Sequence, residues 1–318
     1  MSAPFLYEAA KNEVDALKAL SAASGAAFLA GGTTLLDLWK LGAMQPPKVV
    51  DINALPLAQI SVSASAGAKF GALARMSDAG ANAELAKLYP VVVESLLQAA
   101  SAQIRNMASL GGNLLQRPRS FTYRNPNPAA AEAPGRLDAI FGVSARSAAP
   151  HPSDFAVALT ALDASVKLKR ATGERTLSMA DFYRVPGDDP QRLTTLLPGE
   201  LIVGIEIPPL SMARRSTYVK IRDRTSYQFA LVSVAAALEI EDGVIRDARL
   251  AAGGVGTKPW RLPAVEAALR GQPVAEASYV TAAAAAGEGA TTHEFNAYKI
   301  PLLQRTIVRA CLQAASIA

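Results

Sequence analysis

Two short glycine turns carry most of the chemistry this sequence offers. The first lies in FLAGGTTLLDLWK at 28–40, an apolar run that breaks at Gly31 and Gly32 and resumes with helical spacing. Adjacent glycines let a backbone turn tightly and aim several N–H groups at one point, and Thr33 and Thr34 add hydroxyls where the next helix begins. Such a turn suits the oxygens of a diphosphate, although a Gly-Gly pair between a strand and a helix also serves simply as a turn. A second turn of similar chemistry follows at ASLGGN, 108–113, and two such turns can hold one dinucleotide from both sides. Neither matches GxGxxG and no GxxxxGK[ST] run is present, so the Rossmann and P-loop arrangements are unsupported.

Acid–base and metal chemistry are poorly provided for. His151 and His293 are the only histidines, and neither has carboxylates or cysteines at metal-ligand spacing. His293-Glu294 lacks the second histidine of HExxH, and no Ser-His-Asp grouping follows from spacing. His151 precedes a helix cap, which favours a structural role. The single cysteine, Cys311, makes neither an internal disulfide nor a cysteine-held iron–sulfur cluster. We therefore expect no catalytic side chains and no metal site; a dinucleotide cradle without acid–base machinery points to chemistry supplied by a cofactor.

The elements that must position these turns alternate along the chain. Helical spacing covers 14–23 and 33–41, and strand signals cover 27–30 and 48–52, so residues 1–54 form a βαβαβ-like unit. Strand 69–73 and helices 79–86 and 89–102 follow, with Pro90 suited to a first helical turn. From 117 to 149 the pattern dissolves around Pro118, Pro126, Pro128 and Pro134, which predicts a long loop insertion. HPSD at 151–154 opens an apolar helix to 162 with Ser153 or Asp154 as cap, and 165–169 with 175–177 read as a hairpin. Pro208-Pro209 is the expected domain boundary. Beyond it, 216–221, 232–240 and 245–252 read as antiparallel strands with a turn at Asp242-Gly243, covered by helices near 264–270 and 301–315. The apolar run 229–238 is too short for a bilayer and reads as a buried strand or helix.

The 318 residues allow two or three units with cores of their own, and half of the residues are hydrophobic, with few aromatics. The net charge of +5 is spread among interspersed acids, so no nucleic-acid partner is expected. The N-terminus shows neither a basic region nor an apolar core of a signal peptide, so the expected location is cytoplasmic, or periplasmic if a partner carries the export signal. No membrane insertion is expected.

Five ordered motifs together produce a resemblance: LAGGTTLLDLWK at 29–40, ASLGGNLLQ at 108–116, HPSD at 151–154, LLPGELIVGIEIP at 196–208 and YVKIRDRTSYQFALVSVAAAL at 218–238. Over essentially its whole length the chain resembles the FAD-binding medium subunits of molybdenum hydroxylases, a group that includes xanthine dehydrogenase, carbon monoxide dehydrogenase and bacterial aldehyde oxidoreductases, and it is most similar to the last. The resemblance implies an α+β fold: a two-lobed FAD-binding domain of the PCMH (vanillyl-alcohol-oxidase-like) type at 1–209, with lobes 1–54 and 55–209, then a C-terminal antiparallel-sheet-and-helix domain at 210–318, like the CO dehydrogenase flavoprotein C-terminal domain. It implies that Leu29, Ala30, Gly31, Gly32, Thr33, Thr34 and Leu35 wrap the FAD diphosphate. Ala108, Ser109, Gly112 and Asn113 then approach from the second turn, Ser153 and Asp154 bond the sugar region, Ile202 packs on the flavin ring, and Lys220 lies near its polar edge.

The resemblance further implies partners: a large subunit with a molybdenum cofactor, a small subunit with [2Fe–2S] clusters, and an external electron acceptor. Some relatives carry a cysteine-rich insertion holding a [4Fe–4S] cluster between the second glycine turn and HPSD. Here the loop 117–149 has no cysteine, with Ser120 and Ser147 as stand-ins, so no such cluster is expected. The alternative function is a cofactor-free scaffold of the same fold.

Overall fold

The computed structural model describes residues 4–125, 133–187 and 189–317. Its strands form three sheets. In the first, β1 (Leu6–Ala9), β2 (Ala27–Leu29) and β3 (Lys48–Asp51) run parallel in the order β1-β3-β2, with crossovers α1 (Glu13–Ser21) and α2 (Leu35–Lys40). Asn12 caps α1 by accepting the Asp15 N–H, and Glu13 and Asp15 suit its electropositive first turn. Ala16, Leu17 and Ala19 of α1 pack on Val50 and Ile52.

The second sheet, entirely antiparallel, joins β4 (Ile60–Ser63), β5 (Gly67–Gly71), β6 (Ser165–Arg170), β7 (Gly173–Ser178) and β8 (Leu201–Ile207) in the order β4-β5-β8-β6-β7. Between β5 and β6 come α3 (Met76–Gly80), α4 (Ala83–Leu88), α5 (Pro90–Gln98), α6 (Ala102–Met107), α7 (Leu110–Leu114), α8 (Phe121–Arg124) and α9 (Asp154–Ala161); α10 (Met179–Phe182) follows β7. The third sheet is β9 (Ser216–Ile221), β10 (Val232–Glu241), β11 (Val244–Gly253) and β12 (Trp260–Arg261), accompanied by α11 (Pro263–Leu269), α12 (Glu276–Ala283) and α13 (Lys299–Ala315).

Burial explains why β10 lacks alternation. Val232, Val234, Ala236 and Leu238 join the core shared with α13, while Ala235 and Ala237 join the core shared with α5 and α9. A strand covered on both faces has no polar side to show. Every residue of α9 is buried for the same reason.

Local chemistry also breaks two expected helices. The helix expected at 79–86 is divided between α3 and α4, because Asn82 caps α4 by accepting the Leu85 N–H. The helix expected at 89–102 stops at Gln98; Ala100 takes φ +52°, and Ser101 caps α6.

The segment expected as a loop insertion at 117–149 is only partly irregular, and residues 126–132, with Pro126 and Pro128, lie outside the described residues. Its C-terminal part acts as a strap on the third sheet. The Ile140 and Phe141 N–H groups donate to the Val255 carbonyl at 2.7 and 3.0 Å, and Phe141 stacks on Trp260 with centroids 5.1 Å apart. Lys299, fully buried, donates to the carbonyls of Leu137 and Gly254 at 2.8 and 2.6 Å, and burial pulls its pKa down to about 8. No helix among the described residues is long and apolar enough to cross a membrane.

Candidate functional site

Gly31 brings the two glycine turns into contact. A Cβ on Gly31 would stand 1.8 Å from the Met107 carbonyl oxygen and 3.1 Å from the Ala108 Cα, so only glycine permits this approach. A polar bridge holds the same junction. Arg75 donates to the Met107 carbonyl at 2.5 Å and to Asn53 Oδ1 at 2.8 Å, while Asn53 Nδ2 donates to the Ala30 carbonyl at 2.9 Å. Gly32 has φ +72°, the left-handed geometry that glycine adopts without strain.

The turns differ in what they do with their donors. The backbone N–H groups of Gly31, Gly32, Thr33, Thr34 and Leu35, and the hydroxyls of Thr33 and Thr34, make no hydrogen bond among the described residues. In the second turn, Leu110, Gly111 and Gly112 N–H groups donate to Ala74 O, Ala72 O and Ser109 Oγ at 2.9, 2.8 and 3.2 Å. The first turn is thus a row of open donors, and the second is a self-satisfied wall.

Both turns line a cavity of about 620 Å3, within the range of a ligand site. Of the residues expected at the site, Ala30, Gly31, Gly32, Thr33, Thr34, Leu35, Ala108, Ser109, Gly112, Asn113, Asp154, Ile202 and Lys220 line it. Leu29 and Ser153 do not. Leu29 belongs to β2, where its carbonyl accepts the Ile52 N–H at 3.0 Å. The Ser153 hydroxyl caps α9 by accepting the Ala156 N–H at 3.0 Å and donates to Asn113 Oδ1, so both its roles are used within the protein.

Asp154 anchors a buried network. Its two oxygens accept from Lys220 Nζ and from the Tyr218 hydroxyl, each at 2.6 Å, and Tyr218 also bonds Ser233 at 2.8 Å. Burial, reinforced by Asp154, pushes the Tyr218 pKa well above its ordinary value, so the hydroxyl stays protonated. Lys220 therefore faces the cavity already neutralised.

Several lining residues were not among those expected at the site. His151 is 5% exposed, accepts the Ser153 N–H on Nδ1 at 3.3 Å, and sits edge-to-face with Tyr183; burial lowers its pKa to about 3, so the ring is neutral. Nδ1 as acceptor leaves the proton on Nε2, which bonds none of the described residues. Tyr227, with φ +52°, and Phe229 form an exposed aromatic rim beside Arg224 and Arg119. Arg117 also lines the wall. Among the described residues, no group of three or more histidine, cysteine, aspartate or glutamate side chains could hold a metal ion. The Ser147 hydroxyl instead pairs with Tyr123 at 3.0 Å.

A cavity between two glycine turns, walled by an α+β domain and joined to an antiparallel sheet with helices, has the size and the open donors that suit a dinucleotide. Residues 3–210 match the FAD binding domain in molybdopterin dehydrogenase, and residues 217–314 match the CO dehydrogenase flavoprotein C-terminal domain. The chain belongs to the FAD-binding medium subunits of the molybdenum hydroxylases and is an oxidoreductase subunit. It is 40% identical to the aldehyde oxidoreductase FAD-binding subunit PaoB of Escherichia coli K12, over 99% of both chains. It is 30% identical to the glyceraldehyde dehydrogenase medium chain of Sulfolobus acidocaldarius, over 82% of this chain and 79% of that one. Its fold matches quinoline 2-oxidoreductase from Pseudomonas putida 86 (TM-score 0.78, 24% identity, 99% and 98% of the chains covered) and CO dehydrogenase from Oligotropha carboxidovorans (TM-score 0.79, 21% identity, both chains covered fully).

Two expectations follow from the geometry. Arg75→Met should lower unfolding stability by roughly 1–3 kcal/mol, and Asn53→Ala should cost less in that background than alone, because both remove one bridge; strictly additive effects in a double-mutant cycle would show that no bridge operates. His151 titrates near 6.5 when unfolded and near 3 when folded, so the unfolded chain binds the extra proton between these values. Stability should fall as pH drops below about 6.5, by about 2 kcal/mol at pH 5 from this residue. Urea unfolding of His151→Gln should show a shallower acid loss than the wild type, and parallel curves would exclude the assignment.

Proposed function

We propose that the cavity holds one FAD and that the chain is the electron-transfer subunit of a molybdenum-dependent aldehyde oxidoreductase. In this proposal a large subunit contributes the molybdenum cofactor, a small subunit contributes [2Fe–2S] clusters, and an external acceptor takes the electrons. The observation that carries it is the row of unbonded N–H groups from Gly31 to Leu35, opening on a cavity of dinucleotide size. A scaffold that had lost its cofactor would gain nothing from keeping these donors free. The aldehyde class rests on the 40% identity to PaoB.

FAD supplies the exchange between electron-pair and single-electron chemistry. The chain's own residues bind and orient it. Gly31, Gly32, Thr33, Thr34 and Leu35 present donors to the diphosphate, while Ala108, Ser109, Gly112 and Asn113 form the facing wall. Asp154, held by Lys220 and Tyr218, offers a fixed carboxylate to the sugar region; Leu29 and Ser153 support the shell from behind. Ile202 supplies an apolar surface for the ring. Because Asp154 offsets its charge, Lys220 acts on the ring as one end of an ion pair. The domain boundary belongs at 209, before the third sheet begins. The cysteine-free segment 117–149 holds no [4Fe–4S] cluster, since thiolates are the ligands such clusters take and Cys311 lies buried on α13.

Purification of the full chain with its co-purifying partners should yield a yellow complex with stoichiometric FAD, molybdenum and iron. The chain expressed alone should keep FAD, contain no stoichiometric iron and show negligible aldehyde oxidation with artificial acceptors. A colourless chain with no affinity for FAD would overturn the cofactor assignment; aldehyde turnover by the chain alone would overturn its role as a dependent subunit.

A further inference from the structure

Among the described residues, three cationic side chains line the cavity: Arg117, Arg119 and Lys220. Arg119 pairs with Asp37 at 2.9 Å and Lys220 with Asp154 at 2.6 Å. Arg117 has no carboxylate partner among the described residues. It donates to Gln191 Oε1 at 2.5 Å, and that neutral oxygen is its only hydrogen-bond partner there. Burial also pulls its pKa below the ordinary guanidinium value. A partly desolvated cation without a counter-charge is unfavourable in the empty protein and becomes favourable when an anion arrives. The guanidinium fork matches phosphate oxygens, with donors to spare after Gln191 is served.

Its place in the wall selects the anion. Arg117 follows α7, the helix of the second glycine turn, by three residues. The stretch beyond it is fastened to α2, since Asp37 accepts from Arg119 at 2.9 Å and from Arg124 at 2.9 and 3.1 Å. α2 begins directly after the first turn, so Arg117 lies on a segment tied to both. We infer that Arg117 is the counter-charge for the diphosphate of the bound dinucleotide, complementing the open N–H row. This rests on the FAD assignment above, in which the diphosphate is the cofactor's fixed negative charge.

The test is Arg117→Gln in the full chain, freed of flavin and titrated with FAD, ADP and riboflavin. FAD and ADP should each bind roughly ten- to hundredfold more weakly, the range of a charge-assisted hydrogen-bond pair. Riboflavin binding should stay at the wild-type value, and the melting temperature of the flavin-free chain should not fall. Unchanged FAD affinity, or equal losses for all three ligands, would overturn the inference and leave the FAD assignment standing. A wild-type chain that takes up no FAD would instead remove that assignment, and this inference with it.

Discussion

The approach of Gly31 to the Met107 carbonyl is the constraint on which the rest of the site depends. It brings together the turn after β2 and the end of α6, which lie more than seventy residues apart. Without a side chain at Gly31 the turns meet backbone to backbone, and Arg75 and Asn53 then tie the Ala30 and Met107 carbonyls into one bridge. The Ala30 and Met107 carbonyls at this junction are thereby hydrogen-bonded within the protein. The cavity is the space left beside a junction that cannot close further.

Around that junction the protein separates rigidity from reactivity toward ligand. The second turn uses its donors internally, on Ala72, Ala74 and Ser109, and so keeps its shape without ligand. The first turn leaves its donors open, which is tolerable because they face a solvent-accessible cavity rather than a sealed core. Asp154 works in the same way as the second turn: fixed by Lys220 and Tyr218, it presents a carboxylate that does not need to reorganise. Both faces of β10 are covered, so the sheet supporting Lys220 and Tyr218 on neighbouring β9 is held by apolar packing from α13 on one side and α5 and α9 on the other.

The described parts of the segment 117–149 show how a stretch without periodicity can still be structured. Its order comes from elsewhere: Asp37 gathers Arg119 and Arg124 onto α2, Gln191 meets Arg117, and Lys299 and Val255 hold residues 137–141 on the third sheet. The segment thereby forms part of the cavity wall and joins it to the C-terminal sheet. None of these partners lies near it in the chain, so local sequence gives no sign of them.

By itself the sequence determined the features whose causes are local. Helix caps, hairpin turns and apolar spacing located most strands and helices, and the glycine pairs with HPSD marked part of the cavity's lining. It misjudged elements where a single residue decided the outcome, as Asn82 does by capping a new helix and Ala100 does by taking a left-handed backbone. It also treated the two glycine turns as equivalent, because donor satisfaction depends on partners such as Ala72 and Ala74 on another segment. Only the tertiary structure decided that Leu29 and Ser153 stand behind the wall, that Lys220 is paired with Asp154, and that Arg117 is not paired with any described carboxylate. Residue type and spacing specify which groups a segment carries; burial and pairing arise between segments, and they set which of those groups remain free to meet a ligand.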